Sequence, residues 1–143
     1  MSDEVTVLAI DDDSMHTELI ELIMSEVGCR VLKCYNGLQA LQMLEQHPEV
    51  DAILVDLEMP VMNGHELICQ VKKSEKWQHI PLVVLTGSAD EVIRTMSLGA
   101  SEFLAKPFNR EEMQLRVMNQ VRTKKRADEA KLNLLKSEDR SEQ

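Results

Sequence analysis

Val5 to Asp13 reads VTVLAIDDD, six apolar or β-branched residues, threonine among them, that stop abruptly at three aspartates. An apolar run without polar alternation fits a strand buried on both faces of a parallel sheet. Ser14 then offers an N-cap, and Met15, Leu19, Leu22, Ile23 and Val27 recur at helical spacing until Gly28 closes the helix. Strand, acidic stop, helix is the unit that decides the fold.

The unit recurs. Arg30–Cys34 reads as a second strand, followed by Asn36-Gly37 and a helix through Leu38, Leu41 and Leu44 to Gln46. Ala52–Val55 is a third strand ending at Asp56, and Gly64–Ser74 a helix with Leu67, Ile68 and Val71 on one face. Pro81–Leu85 ends at Thr86 and leads into a helix over Ala89–Leu98, closed by Gly99. Ser101–Ala105 ends at Lys106-Pro107, and a last helix starts near Asn109. Five strands alternating with five helices predict an α/β fold, a doubly wound parallel sheet with helices on both faces.

Length and charge bound the rest. A chain of 143 residues suits one domain with one core. Net charge is −9, unevenly placed: residues 121–143 hold seven basic and five acidic side chains, the preceding 120 nine and twenty. So acidic a body opposes direct nucleic-acid binding and attracts cations. No apolar run approaches a membrane span, and the acidic start does not read as a signal peptide. Cysteines 29, 34 and 69 lack zinc-type spacing and read as reduced thiols of a cytoplasmic protein.

Chemistry gathers at one edge. Asp11 and Asp12 follow the first strand, Asp56 closes the third, Thr86 the fourth and Lys106 the fifth. In a parallel sheet these are all carboxyl ends, where open α/β sheets bind ligands. Clustered carboxylates repel one another, and a hard divalent cation relieves that repulsion. All-oxygen donors at a shallow site favour magnesium. An aspartate triplet after a strand also serves as a solvated helix-capping turn; the three other polar strand ends favour the site.

These residues resemble the active-site set of response-regulator receiver domains. Asp56-Leu57-Glu58-Met59-Pro60-Val61-Met62-Asn63-Gly64 is similar to that family's DxxMPxMxG loop, and the likeness covers about residues 4–122. The resemblance implies a flavodoxin-like strand order 2-1-3-4-5. It implies a phosphorylation-activated switch in which Asp56 accepts a phosphoryl group from a sensor histidine kinase or phosphotransfer protein. Magnesium, with manganese as a substitute, would be held by Asp11, Asp12, Asp56 and the backbone carbonyl of Glu58. Lys106 would supply a counter-charge, a cis bond to Pro107 would aim it, and the Glu58 side chain would tune phosphoryl lifetime. Thr86 and Phe103 would relay the event to the surface of the fourth helix, fifth strand and fifth helix; Phe103 also reads as a plain core aromatic. Catalysis is then limited to the protein's own phosphorylation and dephosphorylation.

Other features receive plainer readings. Histidines 16, 47, 65 and 79 read as solvated surface positions, Trp77 as no part of a site, and most methionines as core filler. Beyond residue 122 the chain runs on without Pro or Gly, as a charged helical extension over 123–143. Met118, Val121, Leu132 and Leu135 follow a heptad that Lys125 and Asp128 interrupt. That segment is a frayed helix end, a linker to an output domain absent from this chain, or a dimerising extension. A homodimer would form through it or through the fourth helix, fifth strand and fifth helix. Two competitors are a phosphatase of the haloacid-dehalogenase type, for Asp11-x-Asp13, and an unphosphorylated binding module. The phosphatase leaves Asp56 unexplained, and retention of the full residue set opposes the binding module.

Overall fold

A computed structural model describes residues 4–57 and 63–141. Elements alternate along the chain as β1 Val5–Ile10, α1 Ser14–Ser25, β2 Cys29–Cys34, α2 Gly37–Gln46, β3 Ala52–Asp56, α3 Gly64–Lys73, β4 Leu82–Thr86, α4 Ala89–Ser97, β5 Glu102–Ala105 and α5 Arg110–Ser141. All strand pairs are parallel, in the order β2-β1-β3-β4-β5. That order places β1 beside β3, with Ile10 level with Val55, so Asp11 and Asp56 leave neighbouring strands at one edge.

The continuous apolar strands divide their side chains between two cores. Leu8, Ile10, Ile53, Val55, Leu82 and Val84 point to one side and pack under α2 and α3, against Leu44, Leu67, Ile68 and Val71. Val7, Ala9, Leu54, Val83 and Leu85 point to the other and meet Ile20 and Met24 of α1 and Met113 and Val117 of α5. Burial on both faces is why no polar alternation marks these strands.

Local signals position the helices, with corrections. The cap of α1 is Asp13, whose carboxylate accepts from the Met15 amide at 2.9 Å, and Ser14 is already the first helical residue. The buried face of α1 is Thr17, Ile20, Ile23 and Met24. Of the expected stripe, Met15 is 74% exposed, Leu22 66%, and Leu19 and Val27 also face outward. The helix carries two apolar faces, and periodicity alone favours the one with more large residues. Thr17 can be buried because its hydroxyl donates to the Ser14 carbonyl at 3.0 Å. Asn36 and Asn63 cap α2 and α3 through their side-chain oxygens.

Methionine is not uniformly core filler. Met24 and Met113 are buried, but Met15 and Met96 are exposed. The three cysteines are free thiols, and burial pushes the Cys34 thiol up to about 12, where it is inert at neutral pH. Among the described residues no helix is long and apolar enough to cross a membrane. Among the described side chains Val121 is the last buried one of α5, and Leu132, Leu134 and Leu135 beyond it are exposed.

Candidate functional site

Three strand ends, those of β1, β3 and β5, deliver charge to one cleft of about 760 Å³ at the carboxyl edge of the sheet. Asp11 leaves β1, with its amide bonded to the Cys34 carbonyl of β2, and its side chain is only 1% exposed. Its Oδ1 accepts from the Asp13 amide at 3.0 Å, and its Oδ2 lies 3.0 Å from Nδ1 of His16. Asp12 is exposed at the mouth, and Asp56, at the end of β3, is buried. One carboxylate oxygen from each of Asp11, Asp12 and Asp56 lies within 4.8 Å of the other two. Lys106, one residue past β5, places Nζ 3.0 Å from Oδ1 of Asp56 and 3.8 Å from Oδ2 of Asp11. The Lys106-Pro107 peptide bond is cis.

The electrostatics follow from burial. Loss of water raises the Asp11 carboxyl above its usual range; the Asp13 amide opposes this, the Asp56 charge adds to it, and Lys106 and His16 oppose it. Three carboxylates facing one lysine and a neighbouring imidazole leave negative charge to be balanced. An all-oxygen donor set so closely spaced fits a small hard cation that keeps part of its water shell.

Gly64 holds the far side of the Asp56 loop. A Cβ at this position would stand 2.6 Å from Leu57 Cα and 2.7 Å from the Asp56 carbonyl oxygen, and its amide donates to the Leu57 carbonyl at 2.9 Å. Only glycine lets the backbone after the loop pass so near the backbone of Asp56 and Leu57. Glu58, with Met59 to Met62, lies outside the described residues.

Thr86 and Phe103 do not line the acidic cleft. They share an adjoining crevice of about 390 Å³ with Val92 and Ile93 of α4. Thr86 is buried, and its Oγ1 accepts from the Ser88 amide at 3.0 Å. Phe103 is partly buried, with the Arg116 guanidinium of α5 5.7 Å from its ring centroid. Arg116 also reaches Glu102 at 2.8 Å.

The histidines overturn their surface reading. His16 and His65 line the cleft, and so does Arg94 of α4. Nε2 of His65 meets Glu91 of α4 at 2.6 Å, and Nδ1 of His47 meets Glu49 at 2.9 Å. Three of the four are thus partly buried beside carboxylates, and only His79 is exposed. A signal existed: His16 and His65 each occupy the first turn of a helix that begins beside a site aspartate or its loop.

The sequence profile described as the response regulator receiver domain matches residues 7–118. The chain belongs to that family: it is a receiver domain of two-component systems. It is 36% identical over 108 residues to the sensor histidine kinase CheAY of Helicobacter pylori, covering 73% of this chain and 13% of that one. It is 32% identical over 120 residues to the response regulator GtcR of Aneurinibacillus migulanus, covering 82% of this chain and 48% of that one. The chain therefore spans less than half the length of these two relatives. Among solved structures, the receiver domain of the sensor histidine kinase PA1611 of Pseudomonas aeruginosa is similar, with a TM-score of 0.75 and 28% identity over 82% of this chain and 98% of that one. That structure carries a magnesium ion coordinated in its active site cleft.

Proposed function

We propose that Asp56 is the phosphoryl acceptor and that Asp11, Asp12 and Asp56, with the Glu58 carbonyl, hold Mg2+ during transfer, with Mn2+ able to take its place. The observation that carries this reading is the meeting of three carboxylates with Lys106 Nζ at 3.0 Å from Asp56. The donor is a phosphohistidine on a sensor kinase or phosphotransfer protein. An Asp56 oxygen attacks phosphorus, the phosphorus–nitrogen bond breaks, and the imidazole leaves with the electron pair and takes up a proton. A cation held by Asp11, Asp12 and Asp56 would neutralise charge on the phosphoryl oxygens. Lys106 exchanges its contact with the Asp56 carboxylate for one with a phosphoryl oxygen, so stabilising charge is in place before reaction. Glu58, two residues past the acceptor, sets how long the acyl phosphate survives.

The exposed face of α1 supports docking of that donor beside the cleft. Leu19 and His16 adjoin Pro107 and Phe108, and Leu19 and Leu22 continue the apolar surface toward Arg110. A helical phosphodonor seated there would present its histidine over Asp56.

After transfer, Thr86 turns its hydroxyl toward the phosphoryl group and Phe103 follows into the crevice beside α4, which alters the α4-β5-α5 surface. The receiver unit is residues 1–122, and 123–143 form a helical extension to an output domain or partner; homodimers would use that extension or the α4-β5-α5 face. The free cysteines and the lack of a membrane-crossing helix among the described residues support a cytoplasmic setting. Incubation with acetyl phosphate and Mg2+ tests the reading: a mass gain of one phosphoryl group, abolished by EDTA and by Asp56→Asn, is expected. A gain that persists in Asp56→Asn would overturn it.

A further inference from the structure

His16 sits in the first turn of α1, immediately after the Asp13 cap. Its Nδ1 is 3.0 Å from Oδ2 of Asp11, and its Nε2 is 3.7 Å from Oδ2 of Asp13. The ring meets Phe108 edge-on, with centroids 5.8 Å apart and planes at 72°. The imidazole is therefore fixed from its helix and from the segment that follows β5. An ionised carboxylate only accepts hydrogen bonds, so the 3.0 Å contact places the proton on Nδ1. With Oδ1 of Asp11 taken by the Asp13 amide at 3.0 Å, both oxygens of this buried side chain have a donor. Lys106 does not substitute for His16 here, because it lies closer to Asp56 than to Asp11, at 3.0 against 3.8 Å.

Two donors on two oxygens fix both the direction and the plane of a carboxylate. Groups that orient a metal-ligating side chain in this way typically carry 10–100-fold in metal affinity, although they never touch the ion. Asp11 is the most buried of the three aspartates and has the least water to restore its pose if a donor is lost.

We propose that His16 is a positioning residue of the cation site: its Nδ1–H, held by the α1 N-terminus and the edge of Phe108, sets the Asp11 carboxylate toward the cation shared with Asp12 and Asp56. The inference rests on the magnesium reading above and goes beyond it, since His16 is no ligand. Its test is Mg2+ affinity of the full chain, measured by isothermal titration at pH 8 without phosphodonor. His16→Ala is expected to raise the Kd about tenfold. His16→Asn, whose amide N–H stands near the place of Nδ1, should stay within about twofold of the parent. His16→Gln, whose amide falls nearer the place of Nε2, should resemble His16→Ala. Unchanged or tighter binding by His16→Ala would overturn the proposal, as would an equal loss in His16→Asn. Asp12→Asn separates the two layers. If it weakens Mg2+ binding while His16→Ala does not, the role of His16 alone is wrong; if neither weakens it, the magnesium reading falls and takes this inference with it.

Discussion

Lys106 Nζ stands 3.0 Å from Oδ1 of Asp56, and its side chain is one-quarter exposed, so the pair can open without breaking the core. The same amine is 3.8 Å from Asp11, which makes it the shared counter-ion of the two buried carboxylates. It holds the Asp56 carboxylate in the cleft. In the transfer proposed above it would release the carboxylate and follow the phosphoryl oxygens.

Lys106→Ala should therefore slow labelling by acetyl phosphate by roughly 10²–10³-fold, the cost of losing one preorganised charge contact to a developing anion. Mg2+ affinity of the same variant should be unchanged or tighter, because a competing positive charge is gone. A rate loss accompanied by lost Mg2+ binding would place Lys106 in support of the cation site instead.

Asp11 gives a pH dependence whose sign is fixed. Burial raises its carboxyl in the folded state above the ordinary value of 3.8, so the folded protein binds the proton more tightly than the unfolded chain. Stability from this group is thus present at and below the ordinary value and is lost as pH rises through the raised one. Asp11→Asn should raise the melting temperature of the metal-free protein at pH 7 by about 2–4 °C and remove the fall in stability that this group contributes as pH rises through its raised value. It should also remove most of the stabilisation that Mg2+ gives the parent. Melting scans from pH 4 to 8, with and without Mg2+, check all three.

Gly64→Ala drives a methyl to 2.6 Å from Leu57 Cα, so backbone has to move. A loss of about 1–3 kcal/mol in urea unfolding is expected, with slower phosphorylation because the displaced backbone carries Asp56. Gly87→Ala is the control, since nothing lies within 4 Å of a Cβ there. Its stability should stay within about 0.5 kcal/mol of the parent.

The outward face of α1 separates donor docking from chemistry. Met15 and Leu22 are 74% and 66% exposed, so replacing them costs the core nothing. Met15→Glu with Leu22→Glu should leave acetyl phosphate labelling within about twofold and slow transfer from a cognate kinase by tenfold or more, about 1.4 kcal/mol. Equal transfer rates in parent and variant would move the docking face elsewhere.

Much of this was legible in the sequence, for identifiable reasons. Apolar runs without alternation announced strands buried twice, and Leu8 and Ile53 do pack on one side while Ala9 and Leu54 pack on the other. Polar stops at the strand ends located the edge where Asp11, Asp12, Asp56 and Lys106 meet. What escaped was orientation. The buried face of α1 depends on how the helix leaves β1 and on a satisfied Thr17 hydroxyl, neither of which hydrophobic periodicity records. His65 escaped because its partner is distant in sequence: it meets Glu91, 26 positions away on another helix, whereas the partners of His16 and His47 lie within five positions and only the folded backbone turns the rings toward them. Arg116 over Phe103 escaped likewise, because only the packed fold brings the two together.

The claim that Asp56 receives the phosphoryl group is tested most directly by trapping the adduct. Protein incubated with acetyl phosphate and Mg2+ is reduced with borohydride, which converts an aspartyl phosphate to homoserine, and its peptides are sequenced by mass spectrometry. Homoserine at position 56, and at none of positions 11, 12 or 13, is the predicted result. Reduction at one of those neighbours with residue 56 unmodified would contradict the account.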